Sequence, residues 1–176
     1  AVPAYDRSRL TARIAHIGVG GFHRAHLAGY TDELASGGSD WAIGGIGLLA
    51  GDAAMAAALG PQEGLYTLVV RDDAAVTPTV IGSIVDYVHA AGDTAPAIAR
   101  LADPAVAVIS MTLTEGGYVP DPRNDATFDV VAAALDQRRG AGHPVTVLSC
   151  DNLPGNGDAA RAATLAAATR RSAGLA

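Results

Sequence analysis

The sequence predicts an α/β domain with a doubly wound, mostly parallel, Rossmann-like sheet and helices on both faces. Three observations carry that prediction. The segment at residues 14–17 is strand-like and runs directly into Gly18-Val19-Gly20-Gly21 and then into a helical pattern. Strand and helix patterns continue to alternate down the chain, the signature of βαβ units and a parallel sheet. The later segments at 105–113 and 144–150 are rich in consecutive apolar residues, as strands buried on both faces require.

The elements follow in order. Residues 1–13 are polar and contain Pro3, which suits an arm or a lead-in strand. The first strand covers 14–17, and the first helix runs from Phe22 to about Ala35, closed by Gly37-Gly38. Residues 41–48 alternate apolar side chains with glycines and form the second strand. Asp52 is placed to cap a short helix, Ala53–Leu59, ended by Gly60-Pro61. The β-rich segments 65–70 and 76–85 flank Arg71-Asp72-Asp73 and predict a hairpin or added strands. Asp93 or Thr94 caps a helix that reaches about Ala102, with Pro96 tolerated in its first turn. After the strand at 105–113 comes a loop, Thr114-Glu115-Gly116-Gly117-Tyr118. The helix at 128–139 turns Val130, Val131, Ala134 and Leu135 inward and Asp136, Arg138 and Arg139 outward. A strand at 144–150, a loop at 151–157 and a helix at 158–173 complete the chain. Ligands of such sheets bind beyond the strand carboxyl ends, which selects the loops at 18–24, 112–118 and 150–156.

Composition narrows the functional classes. With 176 residues the chain has the size of one domain, here a dinucleotide-binding domain over 1–176. The net charge is −6 and the arginines are scattered, which argues against a nucleic-acid partner. No apolar run approaches the ~18 residues of a membrane helix, so no membrane partner is expected. A single cysteine, Cys150, cannot form an internal disulfide and fits a reducing, cytoplasmic setting. No signal peptide is visible. All twelve basic residues are arginine, so chemistry that needs a lysine base cannot run on this chain alone. The helical pattern that ends close to Ala176 suggests a fragment.

The glycine segment is the first candidate site. Gly18 permits a tight turn and Gly20 lets the backbone approach a pyrophosphate without a Cβ. The following helix directs its free N–H groups at that anion. An ordinary glycine turn is the plainer alternative. His23 occupies the third glycine position of G-x-G-x-x-G, so its ring must alter the packing of helix on strand. Ile17, Val19, Gly21, Phe22 and Arg24 belong to the same cofactor-binding stretch. Arg24 is either a pyrophosphate contact or a surface charge. His16, His23 and His26 lack a carboxylate or cysteine at ligand-like spacing, so packing or phosphate contact is expected and no metal.

Asp52, after the second strand, suits the ribose hydroxyls of NAD, although the interval from the glycine loop exceeds the usual ≈ 20 residues. A plain helix N-cap is the alternative. Glu115 stands where a substrate or nicotinamide would lie, or is a surface turn residue. Asn152 cannot act as a base, but its amide can donate to a developing alkoxide; an Asx-turn is the alternative. Cys150 fits a core thiol better than a nucleophile, and Ser149 lacks a nucleophile-elbow context.

Four motifs in order resemble the mannitol dehydrogenase family of polyol-specific long-chain dehydrogenases. They are Ile17-Gly-Val-Gly-Gly-Phe-His-Arg-Ala-His26, Leu65-Tyr-Thr-Leu68, Thr112-Leu-Thr-Glu-Gly-Gly-Tyr118 and Ser149-Cys-Asp-Asn-Leu-Pro-Gly-Asn-Gly157. The resemblance implies a zinc-independent enzyme, such as a mannitol 2-dehydrogenase or fructuronate reductase, that interconverts a secondary alcohol and a ketone. Its substrate would be a polyol or sugar acid and its cofactor NAD(H) or NADP(H); Asp52, with no arginine between Leu48 and Ala58 to welcome a 2′-phosphate, selects NAD over NADP. It implies that Gly18 to Arg24 bind the pyrophosphate, that Asp52 lies in the adenosine-specificity loop, and that Asn152 is catalytic, polarising the reacting oxygen. It also implies a second, helical C-terminal domain that supplies a lysine base, and nothing in this chain matches that domain. Between Tyr118 and Phe128 the chain is shorter than the resemblance implies. A stand-alone NAD-binding or sensor module without catalysis is the rival reading. A methyltransferase ranks last, because His16-Ile17 stands where an acidic residue is usual. Sequence does not specify an oligomeric state.

Overall fold

The computed structural model describes residues 3–72, 75–119, 122–140 and 142–176. Five parallel strands form the central sheet: β1 (Thr11–Ile17), β2 (Trp41–Gly47), β5 (Ile84–His89), β6 (Val108–Met111) and β7 (Thr146–Ser149). Their spatial order is β5-β2-β1-β6-β7. The chain therefore builds outward from β1 on one side, then crosses back to build β6 and β7 on the other. That reversal opens a crevice between β1 and β6, where ligands of doubly wound sheets bind. The sheet is the parallel, doubly wound one the sequence predicts.

Helices cover both faces. On one face α2 (Leu27–Ser36) and α3 (Ala53–Leu59) pack Ala28 and Leu59 against Ile14, Ile43 and Ile84. On the other, α4 (Ala95–Ala102), α5 (Pro122–Arg138) and α6 (Asn156–Arg171) enclose Ala15, Ile17, Ile46, Ile109 and Met111 with Leu101, Phe128, Val131 and Ala167. The period-2 pleat explains the division within β1: Ile14 and His16 face one layer, Ala15 and Ile17 the other. Each fully buried isoleucine contributes roughly 1.5–3 kcal/mol, which is why the sheet can be held by short strands.

Several elements differ from expectation for identifiable reasons. The first helix is two, α1 (Gly21–Ala25) and α2, because His26 takes a non-helical φ of −114° and ψ of −84°. The segment 76–85 is likewise two strands. β3 (Tyr66–Arg71) and β4 (Val76–Ile81) form an antiparallel hairpin, whereas β5 turns away at Gly82-Ser83 and joins the parallel sheet beside β2. Asp93, not Thr94, caps α4, accepting the Ala95 N–H at 3.0 Å.

Arg138 is the clearest reversal: instead of facing solvent, it is 5% exposed. Its guanidinium donates to the carbonyls of Asp103 (2.6 Å) and Val106 (2.8 Å), with Leu101 at 3.3 Å. The carbonyls left over where α4 hands on to β6 need donors, and a long cationic arm from α5 supplies them. At the other edge of the sheet, Arg7 from the N-terminal arm donates to Gly82 O and Ile84 O, both at 2.9 Å.

Candidate active site

Two glycines of the loop after β1 serve different ends. Gly18 has φ +89°, and a Cβ there would stand 2.3 Å from the Thr112 carbonyl oxygen. Its N–H donates to Ile46 O (3.0 Å), while the Thr112 N–H donates to Ile17 O (3.0 Å). Gly18 is thus demanded by the close approach of the β1 and β6 ends. Gly20 is not: its φ of −98° suits any residue, and a Cβ would meet nothing nearer than 3.9 Å. Gly20 precedes α1, whose first-turn N–H groups at Gly21, Phe22 and His23 have no carbonyl behind them within the helix.

The residue at the third glycine position resolves its packing by stacking. The His23 ring lies on His16 with centroids 3.6 Å apart and planes 17° from parallel. His16 is anchored by Ser110 Oγ at 2.8 Å and Gly18 O at 3.2 Å. Both rings are buried, and neither nitrogen of His23 has a hydrogen-bond partner. Burial lowers the pKa of His16 to about 4 and that of His23 to about 2, the latter helped by His16 and Arg24. They are a neutral packing block. His26 faces the other way, exposed and stacked on Phe22. Arg24 lies over the Tyr66 ring at 5.8 Å, and its side chain donates to Gly20 O.

An open cavity of about 370 Å³ follows the crevice. Ile17, Gly18, Val19 and Gly20 line it from the β1 side, Asp52 from the β2 side, and Thr112 and Thr114 from the β6 side. Asp52 does not cap α3 with its side chain. Its carboxylate accepts the Leu49 N–H at 2.9 Å, closing the turn that begins the loop. His89 Nε2, 3.0 Å from Leu49 O, ties that loop to the end of β5.

Asn152 is exposed beside a second cavity of about 450 Å³, shared with Thr114, Gly116 and Asp151. Its side chain makes no hydrogen bond among the described residues. Glu115 opens a 3-10 turn, Glu115–Tyr118; its side chain lies outside the described residues. The structure brings Ile17, Gly18, Val19, Gly20 and Asp52 to one cavity and Asn152 to the neighbouring one. Gly21, Phe22, His23 and Arg24 are absent from both linings: Phe22 projects outward at 54% exposure and His23 packs beneath the loop. Cys150 is half-buried, and burial raises its thiol pKa, which disfavours a nucleophile.

Sequence reasoning missed Asp151. It is 8% exposed, and its carboxylate accepts the N–H groups of Leu113 (2.9 Å) and Thr114 (2.9 Å) and the hydroxyl of Tyr118 (2.6 Å). An acidic residue at the end of an apolar strand, with no arginine nearby in sequence, was the available signal. Thr112 and Thr127, which line the crevice cavity with the glycine loop, carried none. No cluster of three metal-ligating side chains exists among the described residues, and no helix there is long and apolar enough to cross a membrane.

Comparison with known proteins agrees with this geometry. Residues 12–176 match the family model described as the mannitol dehydrogenase Rossmann domain. The chain is 43% identical to a mannitol 2-dehydrogenase of Cereibacter sphaeroides, covering 99% of this chain and 41% of that protein. It is 40% identical to one from Pyricularia oryzae, covering 91% and 37% respectively. Among solved structures it superposes on Pseudomonas fluorescens mannitol 2-dehydrogenase, a ternary complex with NAD and D-mannitol. The TM-score is 0.90 at 40% identity, over 99% of this chain and 40% of that one. A substrate-free D-sorbitol dehydrogenase gives a TM-score of 0.89 at 35% identity, over 99% and 41%. The chain therefore spans about two fifths of the length of these relatives. Sheet order, glycine crevice and these likenesses together place the chain in the mannitol dehydrogenase family, as that family's Rossmann domain.

Proposed function

We propose that this chain is the NAD-binding half of a zinc-independent oxidoreductase acting on a polyol or sugar acid, working in the cytoplasm. The observation that carries the reading is Gly20. No packing or backbone strain requires a glycine there, yet it lies at the lip of a cavity that also holds Asp52. A missing Cβ with no internal purpose fits a ligand's close approach. The residues present suit a dinucleotide. The first-turn N–H groups of α1 and Arg24 would hold the pyrophosphate, and Asp52 would hold the adenosine ribose. Asp52 also repels a 2′-phosphate, which favours NAD over NADP. The ternary complex of the Pseudomonas fluorescens relative with NAD and D-mannitol supports the same choice.

NAD supplies a hydride acceptor when bound. The protein's task is to orient the alcohol and to handle its proton. Asn152, uncharged and exposed beside Thr114, would donate a hydrogen bond to the oxygen as charge develops. Glu115 belongs to the same loop and would border the substrate. A general base must come from elsewhere. There is no lysine, His16 and His23 are buried and neutral, and His89 is committed to Leu49 O. The reading therefore includes a second, helical domain carrying the base.

The experiment has two parts. Calorimetric titration of this chain with NAD and NADP should give binding that favours NAD, and Gly20→Val should abolish it while the protein stays folded. NADH formation from mannitol should be absent for this chain and present for the complete polypeptide. Losing a general base costs ~10²–10⁴ in rate, and losing substrate orientation costs more. Equal NAD affinity in Gly20→Val, or turnover by the chain alone, would overturn the reading.

A further inference from the structure

We propose that Asp151 is a positioning residue for the reaction: a buried carboxylate that fixes Asn152 against the β6 loop and so sets where its amide points. The inference rests on the reading that Asn152 polarises the reacting oxygen.

Asn152 is exposed and has no side-chain partner among the described residues, so its own side chain does not hold it in place. What holds it is the residue before it. The Asp151 N–H donates to Ser149 Oγ at 3.3 Å. Its carbonyl accepts the Leu153 N–H (2.9 Å) and the Asn156 side-chain amide (3.1 Å). Its carboxylate crosses to the neighbouring loop and accepts Leu113 N–H, Thr114 N–H and the Tyr118 hydroxyl. Six groups thus pin one residue, and all three partners of the carboxylate are donors. An ionised acid accepts only, so the set matches a charged Asp151. No cation is among these partners. A buried carboxylate satisfied by amides and a hydroxyl is a costly arrangement to retain where a neutral amide or an apolar residue could pack.

The loop it clamps is itself unusual. Thr114 holds φ +67° and ψ 162°, a conformation that residues with a Cβ avoid. The Asp151 oxygen on its N–H is positioned to maintain it. Thr114, Gly116, Asp151 and Asn152 line one cavity, so the strained residue, the clamp and the candidate polarising amide form one wall. Tyr118 extends the clamp, since its hydroxyl also contacts Ser149 Oγ at 2.7 Å. Burial and the bond to Asp151 raise its pKa, keeping it a neutral donor. Strained backbone kept by surrounding hydrogen bonds recurs where a site needs preorganised geometry.

The test is a double-mutant cycle on kcat in the complete enzyme. Asn152→Ala should lower kcat by about 10²–10³-fold, as for loss of one oxyanion donor. Asp151→Asn should lower kcat by roughly 10–100-fold, with the polyol KM within about threefold. In the Asn152→Ala background, Asp151→Asn should then cost less than about threefold, because a residue acting through Asn152 has nothing left to position. The same factor in both backgrounds would overturn the proposal, since a general loosening of the fold does not depend on Asn152. If Asp151→Asn does not fold, Tyr118→Phe removes one donor and leaves the carboxylate. Its kcat loss, about threefold to tenfold, should likewise vanish without Asn152, and persistence would refute the inference. Should Asn152→Ala alone leave kcat unchanged, the role of Asn152 fails first and the clamp's catalytic role with it.

Discussion

Gly18→Ala tests whether the crevice is built as described. An alanine Cβ at this position would lie 2.3 Å from the Thr112 carbonyl oxygen, where ordinary contact begins at 3.4 Å. The β1 and β6 ends would have to separate by about an ångström, enough to break the 3.0 Å bond from Thr112 N–H to Ile17 O. Three costs follow. Holding φ near +89° with a Cβ present costs about 1–2 kcal/mol, the lost hydrogen bond about 1 kcal/mol, and the overpacking about 1–3 kcal/mol. Together they predict a loss of about 3–6 kcal/mol, a large part of a typical domain's stability of about 5–15 kcal/mol. Gly21→Ala is the matched control. It starts α1, its Cβ would meet nothing within 4 Å, and helix propensity favours alanine by up to about 1 kcal/mol. Urea unfolding of the three proteins gives the comparison. A Gly18→Ala protein within about 1 kcal/mol of wild type would refute the account of the crevice.

Three other perturbations separate the remaining parts. Asp52→Ala should narrow the NAD-over-NADP preference by about tenfold, the effect of removing one charge facing a phosphate near the surface. Calorimetry with both dinucleotides checks this, and an unchanged ratio would count against Asp52. Acid should unfold the protein through the histidine stack. Both rings have folded pKa values below the unfolded 6.5, so the unfolded chain takes up protons first. Stability is full above pH 6.5 and falls as pH drops toward 4, by roughly 1.4 kcal/mol per pH unit for each ring once well below 6.5. His23→Phe should roughly halve that slope between pH 6 and 5 in urea-melt midpoints, and an identical slope would count against the stack as its source. Arg138→Met should cost about 2 kcal/mol by leaving the Val106 carbonyl buried without its donor and the Asp103 carbonyl with the Val106 N–H alone; a loss under about 1 kcal/mol in urea unfolding would show that water replaces the guanidinium.

Much of the framework was legible in the chain because it follows from local rules. A strand-like segment running into glycines and a helical pattern announces a βα junction, and the largely apolar run at 105–113 announces a strand covered on both faces, of which 108–111 forms the strand. Those rules also placed Gly20, Asp52 and Asn152 at strand carboxyl ends. What local pattern could not convey are contacts between residues far apart in sequence. Gly18 needs its missing Cβ because of Thr112, 94 positions later. His23 is tolerated at a glycine position because His16, on the preceding strand, offers a flat face to stack on. Arg138 reads as a surface charge by helical spacing, and only the carbonyls of the connection between α4 and β6, Val106 O above all, draw it inside. Asp151 looked like part of a polar loop until β6 and β7 brought the Leu113 and Thr114 amides to its carboxylate. Periodicity sets which face of an element is apolar. Which polar groups must be answered across the fold is decided only when the strands are side by side, since an unpaired buried donor or acceptor exists only after its water has been excluded.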